Sequence, residues 1–372
     1  MNIDSKLKAV IDRFDFEGEL ADCQEIKNGH VHRSYHLTYA TPGGGRREYV
    51  LQHMNTFAFK KPDEVMENVD LVTKHLAAAM VKRGEDPDNR VLRVVSVKGG
   101  GILLLDDEGN TWRAYDFITH ATTYNYADSP AQFREVGLAF GEFQNMLADF
   151  PIQRLHDTIP FFHDTRRRLE AFERSVAQDP RGRVAEVPDE IAFVRARKAA
   201  MCRIVDMIAT GELPLRVTHN DTKINNVMLD VDTGKAQCVI DLDTVMAGSS
   251  LYDFGDAIRF GASTALEDET DLSKVGLDME LFRSFAEGYI SQTASGLTGR
   301  ELENLGLGAL VMTFEVGLRF LTDYLDGDVY FNIDYPEHNL VRARCQFKLL
   351  TDMEAKRDAM DAIVRELIEK YR

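Results

Sequence analysis

Residues 217–226 read Val217-Thr218-His219-Asn220-Asp221-Thr222-Lys223-Ile224-Asn225-Asn226. The segment has short apolar stretches on both sides and predicts a polar loop that joins two strands. A carboxylate such as Asp221 suits the acceptance of a proton from a hydroxyl group, and Asn226 on the same loop suits a magnesium ion. Because His219, Asp221 and Asn226 can also fall at this spacing by chance in a polar surface loop, the interpretation needs a second element.

The second element is Val239-Ile240-Asp241-Leu242-Asp243, an apolar strand that ends in carboxylates. Asp241 follows Asn226 by 241 − 226 = 15 residues, a separation that fits one hairpin. Mg²⁺ prefers a few oxygen ligands and keeps some of its water, so we expect Asp241 and Asn226 to bind it beside phosphate oxygens. Asp243 is a candidate to reinforce that site. The order and spacing match the catalytic loop and the metal-binding aspartate of protein kinases, and Lys223 is then placed to neutralise a transferred phosphoryl group.

These motifs resemble those of the aminoglycoside phosphotransferase and choline kinase superfamily, whose members carry a further aspartate, supplied here by Leu251-Tyr252-Asp253-Phe254-Gly255-Asp256. Over most of its length the chain is similar to the bacterial N-acetylhexosamine 1-kinases. The resemblance implies ATP- and Mg²⁺-dependent phosphorylation of the anomeric hydroxyl of N-acetylglucosamine or N-acetylgalactosamine. The segments that carry it are 219–223, 240–244, 254–262, 319–321 and 335–342, with Asn28-Gly29-His30 and Val50-Leu51-Gln52.

The order of elements predicts an α+β chain with a bilobal, protein-kinase-like fold. Residues 1–118 form the expected small nucleotide-binding lobe, with three strand-like stretches over 19–54, a helix that begins at Pro62, and strands at 91–97 and 111–118. Residues 119–372 form the expected catalytic and sugar-binding lobe, which is mainly helical. Its predicted helices cover 132–150, 161–177, 189–211 and 300–325, and the catalytic segments form a short strand-like island among them.

The nucleotide side departs from the protein-kinase pattern. The turn at Gly29 has one glycine where protein kinases have three, so close approach of the backbone to phosphate is only partly provided for. Gln52 stands where those kinases place a lysine that pairs with the phosphates, and the residues leave open whether Arg47, Lys60, Lys61 or magnesium compensates. The segment Tyr115-Asp116-Phe117-Ile118 is expected to present backbone groups of Asp116 and Ile118 to adenine, and a plain buried strand is the equal alternative.

The acceptor side is expected on the predicted helix 300–325. Its apolar stripe is core, and beside that stripe Glu315, Arg319 and Asp323 follow one another at intervals of four residues. Taken alone, such a row favours a solvated ladder of ion pairs. The resemblance implies instead that Arg319 and Tyr330 hold the hexosamine, and it makes His30 a candidate to close the site from the small lobe. The basic cluster 166–168 receives no function.

Composition excludes other classes of function. The chain has 44 Lys and Arg against 61 Asp and Glu, a formal charge of −17, which argues against a nucleic-acid or anionic-membrane surface. The four cysteines lack the spacing of a zinc site or a disulfide framework. The first residues lack the pattern of a secretory signal, and the apolar runs are too short to span a membrane. We expect a cytoplasmic protein with a small sugar as its partner, and no protein partner is predicted.

Two alternatives remain open. The first is the same fold and chemistry on another small hydroxyl compound, such as choline, homoserine or an aminoglycoside. The second is a catalytically inactive nucleotide-binding module, which the missing lysine at position 52 favours and the complete set of Asp221, Asn226 and Asp241 disfavours. The choice between N-acetylglucosamine and N-acetylgalactosamine depends on the direction of one hydroxyl group, which the sequence does not decide.

Overall fold

The small lobe is built on one antiparallel sheet. The computed structural model describes residues 3–27 and 31–372. The sheet has the strand order β1-β2-β3-β5-β4. Its strands are β1 (Glu19–Ile26), β2 (Arg33–Ala40), β3 (Arg46–His53), β4 (Leu104–Leu105) and β5 (Thr111–Asp116), accompanied by the helices α1 (Ser5–Ile11) and α2 (Pro62–Lys82).

The two faces of this sheet differ because side chains alternate along each strand. Leu37, Leu51 and Ala114 are fully buried on one face, where they share a core with α1. The other face carries Gln52, which pairs in register with Arg113 on β5. The face that carries Gln52 and Arg113 therefore lies opposite α1.

The strand expected at 91–97 does not form as a regular strand. Val94 and Val97 make isolated bridges, to Tyr115 and Phe14 respectively. The backbone there bonds alternately to β5 and to the segment after α1, since the N–H of Val95 donates to β5 while the carbonyl of Ser96 accepts from Asp15. Residues 91–97 therefore do not form a continuous ladder of hydrogen bonds with a single neighbouring strand.

The large lobe packs helices around one core and two small sheets, with strand orders β6-β8-β9 and β10-β7. Its strands are β6 (Ala121–Thr122), β7 (Arg216–Thr218), β8 (Val227–Asp230), β9 (Ala236–Val239) and β10 (Met246–Gly248). Its helices are α3 (Pro130–Met146), α4 (Thr165–Gln178), α5 (Pro188–Met201), α6 (Arg203–Ala209), α7 (Ser250–Gly261), α8 (Met279–Thr293), α9 (Gly299–Glu303), α10 (Leu305–Asp326), α11 (His338–Ala355) and α12 (Arg357–Tyr371). The expected α+β architecture, with a sheet-based N-terminal part and a helical C-terminal part, is confirmed.

The helix expected over 300–325 is divided into α9 and α10 at Asn304. By length and composition α10 could cross a membrane, but 89% of its most apolar window is buried inside the lobe, as in a core helix. It crosses α7 closely, because a Cβ atom on Gly308 would lie 2.3 Å from the carbonyl oxygen of Leu251. This close crossing holds α7 against the centre of the lobe.

Candidate active site

The candidate catalytic loop, residues 219–226, follows β7 and is braced by His219. This ring is fully buried, and its Nε2 lies 2.9 Å from the carbonyl oxygen of Ile240, next to Asp241. Its Nδ1 accepts from the N–H of Asp221 at 3.3 Å. His219 therefore links the two short segments that carry Asp221 and Asp241.

A buried carboxylate on α7 anchors the same loop. Asp253 accepts the backbone N–H groups of His219 at 2.9 Å and Asn220 at 2.8 Å. Burial raises its pKa to about 6 from 3.8, although His219 and these hydrogen bonds favour the ionised form. The Asp253 side chain thus orients the loop by accepting hydrogen bonds from the backbone of the loop.

We expect Asp253 to change the pH dependence of stability. The folded protein takes up a proton at Asp253 between about pH 6 and pH 4, before the unfolded chain does, so acidification relieves a penalty that is present at pH 7. The change in pKa is worth roughly 3 kcal/mol. Urea unfolding at pH 7, 6, 5 and 4 should show wild type gaining stability relative to Asp253→Asn as the pH falls. Parallel pH profiles for the two proteins would contradict the assignment.

The expected metal residues come together at the end of a hairpin. Val227 on β8 pairs with Val239 on β9, and the N–H of Ile240 donates to the carbonyl oxygen of Asn226 at 2.9 Å. Asn226 Nδ2 donates to the Asp221 carboxylate at 3.1 Å and to its carbonyl oxygen at 2.8 Å. The carboxamide therefore lies between the catalytic loop and the strand that leads to Asp241.

Asp241 has a left-handed backbone (φ 60°) and a side chain exposed to solvent. Its pKa is raised because the surrounding protein displaces much of its water and because Asp243 and Asp221 are negative. A divalent cation would neutralise this group of acids. The described residues hold no cluster of three or more His, Cys, Asp and Glu that could bind a metal alone, so Mg²⁺ would need phosphate oxygens besides Asp241 and Asn226. The residues present fit such an ion.

Lys223 pairs with Asp221 at 3.1 Å between Nζ and Oδ1. Burial alone would lower its pKa, but the negative charges of Asp221 and Asp256 raise it. The ammonium group therefore stays charged beside the candidate catalytic carboxylate. This position agrees with the predicted role of Lys223, which is to neutralise a transferred phosphoryl group.

The expected adenine segment lies where β5 leaves the sheet. The carboxylate of Asp116 pairs with Arg93 at 2.6 Å, and the N–H of Phe117 donates to Glu48. Within residues 3–27 and 31–372 the N–H of the buried Ile118 donates no hydrogen bond, so it is available to a ligand. Gly29 and His30 lie outside the described residues.

The cation near position 52 is Arg113, which sequence reasoning missed. The Oε1 of Gln52 accepts from Arg113 Nε at 2.9 Å. The three cations considered from sequence lie elsewhere: Arg47 approaches Glu17 at 3.5 Å, Lys61 pairs with Glu64 at 2.8 Å, and Lys60 is exposed. The strand register that joins residues 52 and 113 was not visible in the sequence.

The expected acceptor side contains two arginines among aromatic rings. The Arg319 guanidinium lies 5.3 Å from the centroid of the Phe162 ring, 5.6 Å from Tyr330 and 5.4 Å from Phe331. Nearby, Arg168 donates to the carbonyl oxygen of Phe162 at 2.9 Å, and burial together with the charge of Arg319 lowers its pKa. The sequence interpretation had given the cluster 166–168 no function.

His163 connects this cluster to the catalytic loop. Its ring lies 4.4 Å from that of Phe162, its Nδ1 is 2.8 Å from Glu315, and its Nε2 is 3.2 Å from the carbonyl oxygen of Asn220. A cavity of about 340 Å³ is lined by residues that include Phe162, His163 and Asn220. Asp221, Arg319 and Tyr330 are not among the residues that line this cavity.

The solvated ladder considered for Glu315, Arg319 and Asp323 is not present. Glu315 is fully buried and Asp323 is 5% exposed. Glu315 accepts from Thr165 at 2.7 Å, and Asp323 accepts the backbone N–H groups of residues 329–331. Glu315 therefore anchors His163 and Thr165, and Asp323 holds the loop that carries Tyr330.

Both the sequence and the fold of this chain are similar to those of known proteins. The model of the phosphotransferase enzyme family matches residues 22–286. The fold is similar to a microcompartment-associated aminopropanol kinase, with a TM-score of 0.60, 14% identity, and 95% of this chain and 98% of the other covered. It is also similar to the GDP complex of aminoglycoside 2'-phosphotransferase-IIIa (TM-score 0.58, 12% identity, 92% and 99% covered). A third similar structure is choline kinase from Cryptosporidium parvum (TM-score 0.55, 13% identity, 93% of each chain covered).

Proposed function

Because this chain belongs to the phosphotransferase enzyme family, we propose that it transfers the terminal phosphoryl group of ATP to the anomeric hydroxyl of an N-acetylhexosamine. The observation that carries the choice of acceptor is the environment of Arg319. Its guanidinium is surrounded by Phe162, Tyr330 and Phe331 and is paired with no carboxylate in the described part of the chain. Planar donors and aromatic faces suit the hydroxyl and acetamido groups of a sugar.

The same environment disfavours a cationic acceptor. The names of two similar structures indicate amine-bearing acceptors, aminopropanol and choline. Such an acceptor would need carboxylates or free aromatic faces, but here Arg319 already lies against three rings and Arg168 adds a second positive charge. A neutral acceptor avoids this repulsion.

The proposed mechanism is in-line transfer. Asp221 orients the attacking hydroxyl and accepts its proton late in a loose transition state, while Lys223 offsets negative charge on the phosphoryl group. Mg²⁺, when bound through Asp241 and Asn226, would neutralise phosphate charge. The anomeric hydroxyl is the most acidic on the ring, because the ring oxygen withdraws charge, so Asp221 needs no further activation to take its proton.

ADP release with a panel of acceptors tests this proposal. N-acetylglucosamine or N-acetylgalactosamine should be turned over, and the product should show phosphorus coupling to the anomeric proton in the NMR spectrum. Their methyl glycosides should not react, because the attacking hydroxyl is blocked. Turnover of a methyl glycoside, or activity confined to choline, homoserine or an aminoglycoside, would disprove the sugar 1-kinase assignment. No turnover with any acceptor would favour an inactive nucleotide-binding module.

Arg319→Ala should raise the KM for the hexosamine at least tenfold and leave the thermal unfolding midpoint within a few degrees of wild type. The unfolding midpoint should change little because the hydrogen bond of Arg319 to Tyr330 is long, at 3.4 Å, and Arg319 takes part in no ion pair in the described residues. A matched control is Arg195→Ala, which removes an exposed pair with Glu173. An unchanged sugar KM would return Arg319 to a purely structural role.

A further inference from the structure

A buried ion pair joins the small lobe to the large lobe. Both terminal nitrogens of Arg113 donate to the carboxylate of Asp243, the Nη2–Oδ2 bond at 2.9 Å. His32 adds a contact of 2.6 Å from its Nε2 to the same carboxylate. Arg113 and Asp243 are 2% and 3% exposed, so water screens the pair little.

The ends of this pair belong to different parts of the fold. Arg113 lies on β5 and His32 directly precedes β2, so both belong to the small lobe. Asp243 lies in the short 3₁₀ turn Leu242–Thr244 of the large lobe, whose N-cap is Asp241. The turn that carries the candidate metal ligand is therefore bound to the small lobe through Asp243.

The arrangement replaces the ion pair of protein kinases, in which a strand lysine pairs with a glutamate of the crossing helix. Gln52 occupies the lysine position, and the contact that α2 makes with Arg113 is the sulfur of Met66, at 3.6 Å. The cation has moved to the neighbouring strand, and its carboxylate partner has moved from the helix to the turn after Asp241.

We propose that Arg113 is a positioning residue that acts through Asp243 to hold Asp241 in its metal-binding conformation. Asp241 has a left-handed backbone, a conformation that residues other than glycine adopt less readily than the right-handed one. Asp243 is held by three hydrogen bonds from the small lobe, and Leu242 between the two acids is buried. Arg113 also offsets the charge of Asp243, which would otherwise repel the metal-binding carboxylate of Asp241 more strongly. This role rests on the Mg-nucleotide part of the proposed function and is independent of the sugar.

The test is a double-mutant cycle with Arg113→Met, Asp243→Asn and the double variant, measured on the full chain. Each single variant leaves a buried group without its partner and should lower the unfolding midpoint, while the double variant should recover most of that loss. Calorimetry with ADP, with and without Mg²⁺, is the decisive readout. In the double variant, ADP affinity without Mg²⁺ should stay within about twofold of wild type. The factor by which Mg²⁺ raises ADP affinity should fall at least tenfold.

Arg113→Lys keeps the positive charge without the bidentate contact. This variant should show part of the Mg²⁺-dependent increase in ADP affinity that the double variant loses. The control is Arg197→Met with Glu354→Gln, a bidentate pair of the large lobe whose removal should leave the Mg²⁺ gain unchanged. A full Mg²⁺ gain in the double variant would reduce the pair to a structural role and overturn the proposal. A tenfold loss of metal-free ADP affinity would also overturn it, since Arg113 would then contact the nucleotide. If wild type itself shows no Mg²⁺-dependent ADP binding, the nucleotide part of the proposed function fails, and this role fails with it.

Discussion

Asp221→Asn is expected to lower kcat by about 100-fold or more while Mg-nucleotide affinity stays nearly that of wild type. The amide cannot accept the proton of the attacking hydroxyl, but it keeps the size of the carboxylate and one acceptor oxygen. Asn226 can therefore still donate to residue 221, where it now reaches the side chain at 3.1 Å. Steady-state kinetics with the accepted sugar, together with calorimetry using ADP and Mg²⁺, measure the two quantities.

A matched control for this substitution is Asp232→Asn, at an exposed position of the loop between β8 and β9. It removes the same charge from the same lobe and should change neither kcat nor nucleotide affinity. The assignment of Asp221 would be wrong if Asp221→Asn kept its kcat. It would also be wrong if the variant lost nucleotide affinity along with kcat, because that pattern belongs to a metal ligand.

Asp241→Ala is expected to remove the gain in nucleotide affinity that Mg²⁺ confers and to abolish turnover. Loss of the carboxylate relieves its repulsion with Asp243 and Asp221, but alanine tolerates the left-handed backbone at this position less well than aspartate does, so the two effects on stability oppose each other. Thermal unfolding should therefore show a midpoint within a few degrees of wild type. Calorimetry with ADP should give the same affinity with and without Mg²⁺.

The contrast between the two aspartates is the sharpest test of their roles. If Asp241→Ala retained Mg²⁺-dependent binding while Asp221→Asn lost it, the two assignments would have to be exchanged. If both variants retained binding and turnover, the cleft between the lobes would not be the active site.

The catalytic segments could be recognised in the sequence because their geometry is local. Residues 219–226 and 239–243 belong to one loop and one hairpin, so spacing along the chain determines which side chains meet. Strand alternation and helical periodicity likewise predicted the two kinds of lobe. His219 belongs to the same short segment and connects it to the second one through its contacts to Asp221 and Ile240.

Other features depend on which surfaces pack together. Arg113 reaches Gln52 through the register of β3 and β5, and it meets Asp243 across 130 residues of chain. Taken alone, the spacing of the charged row on α10 favoured a position in water, as on an exposed helix face. Instead α4 packs against α10, and Glu315 is buried against His163 and Thr165.

Local spacing therefore determined the candidate proton acceptor, the candidate metal ligands and the class of fold, because a few covalently linked residues suffice to place them. Packing between distant segments determined that Arg113 is the cation beside Gln52 and that Arg168 lies near Arg319 on the expected acceptor side. The physical reason is that a buried charge takes whichever partner the assembled core brings within hydrogen-bonding distance, and that distance is not encoded in any short stretch of chain.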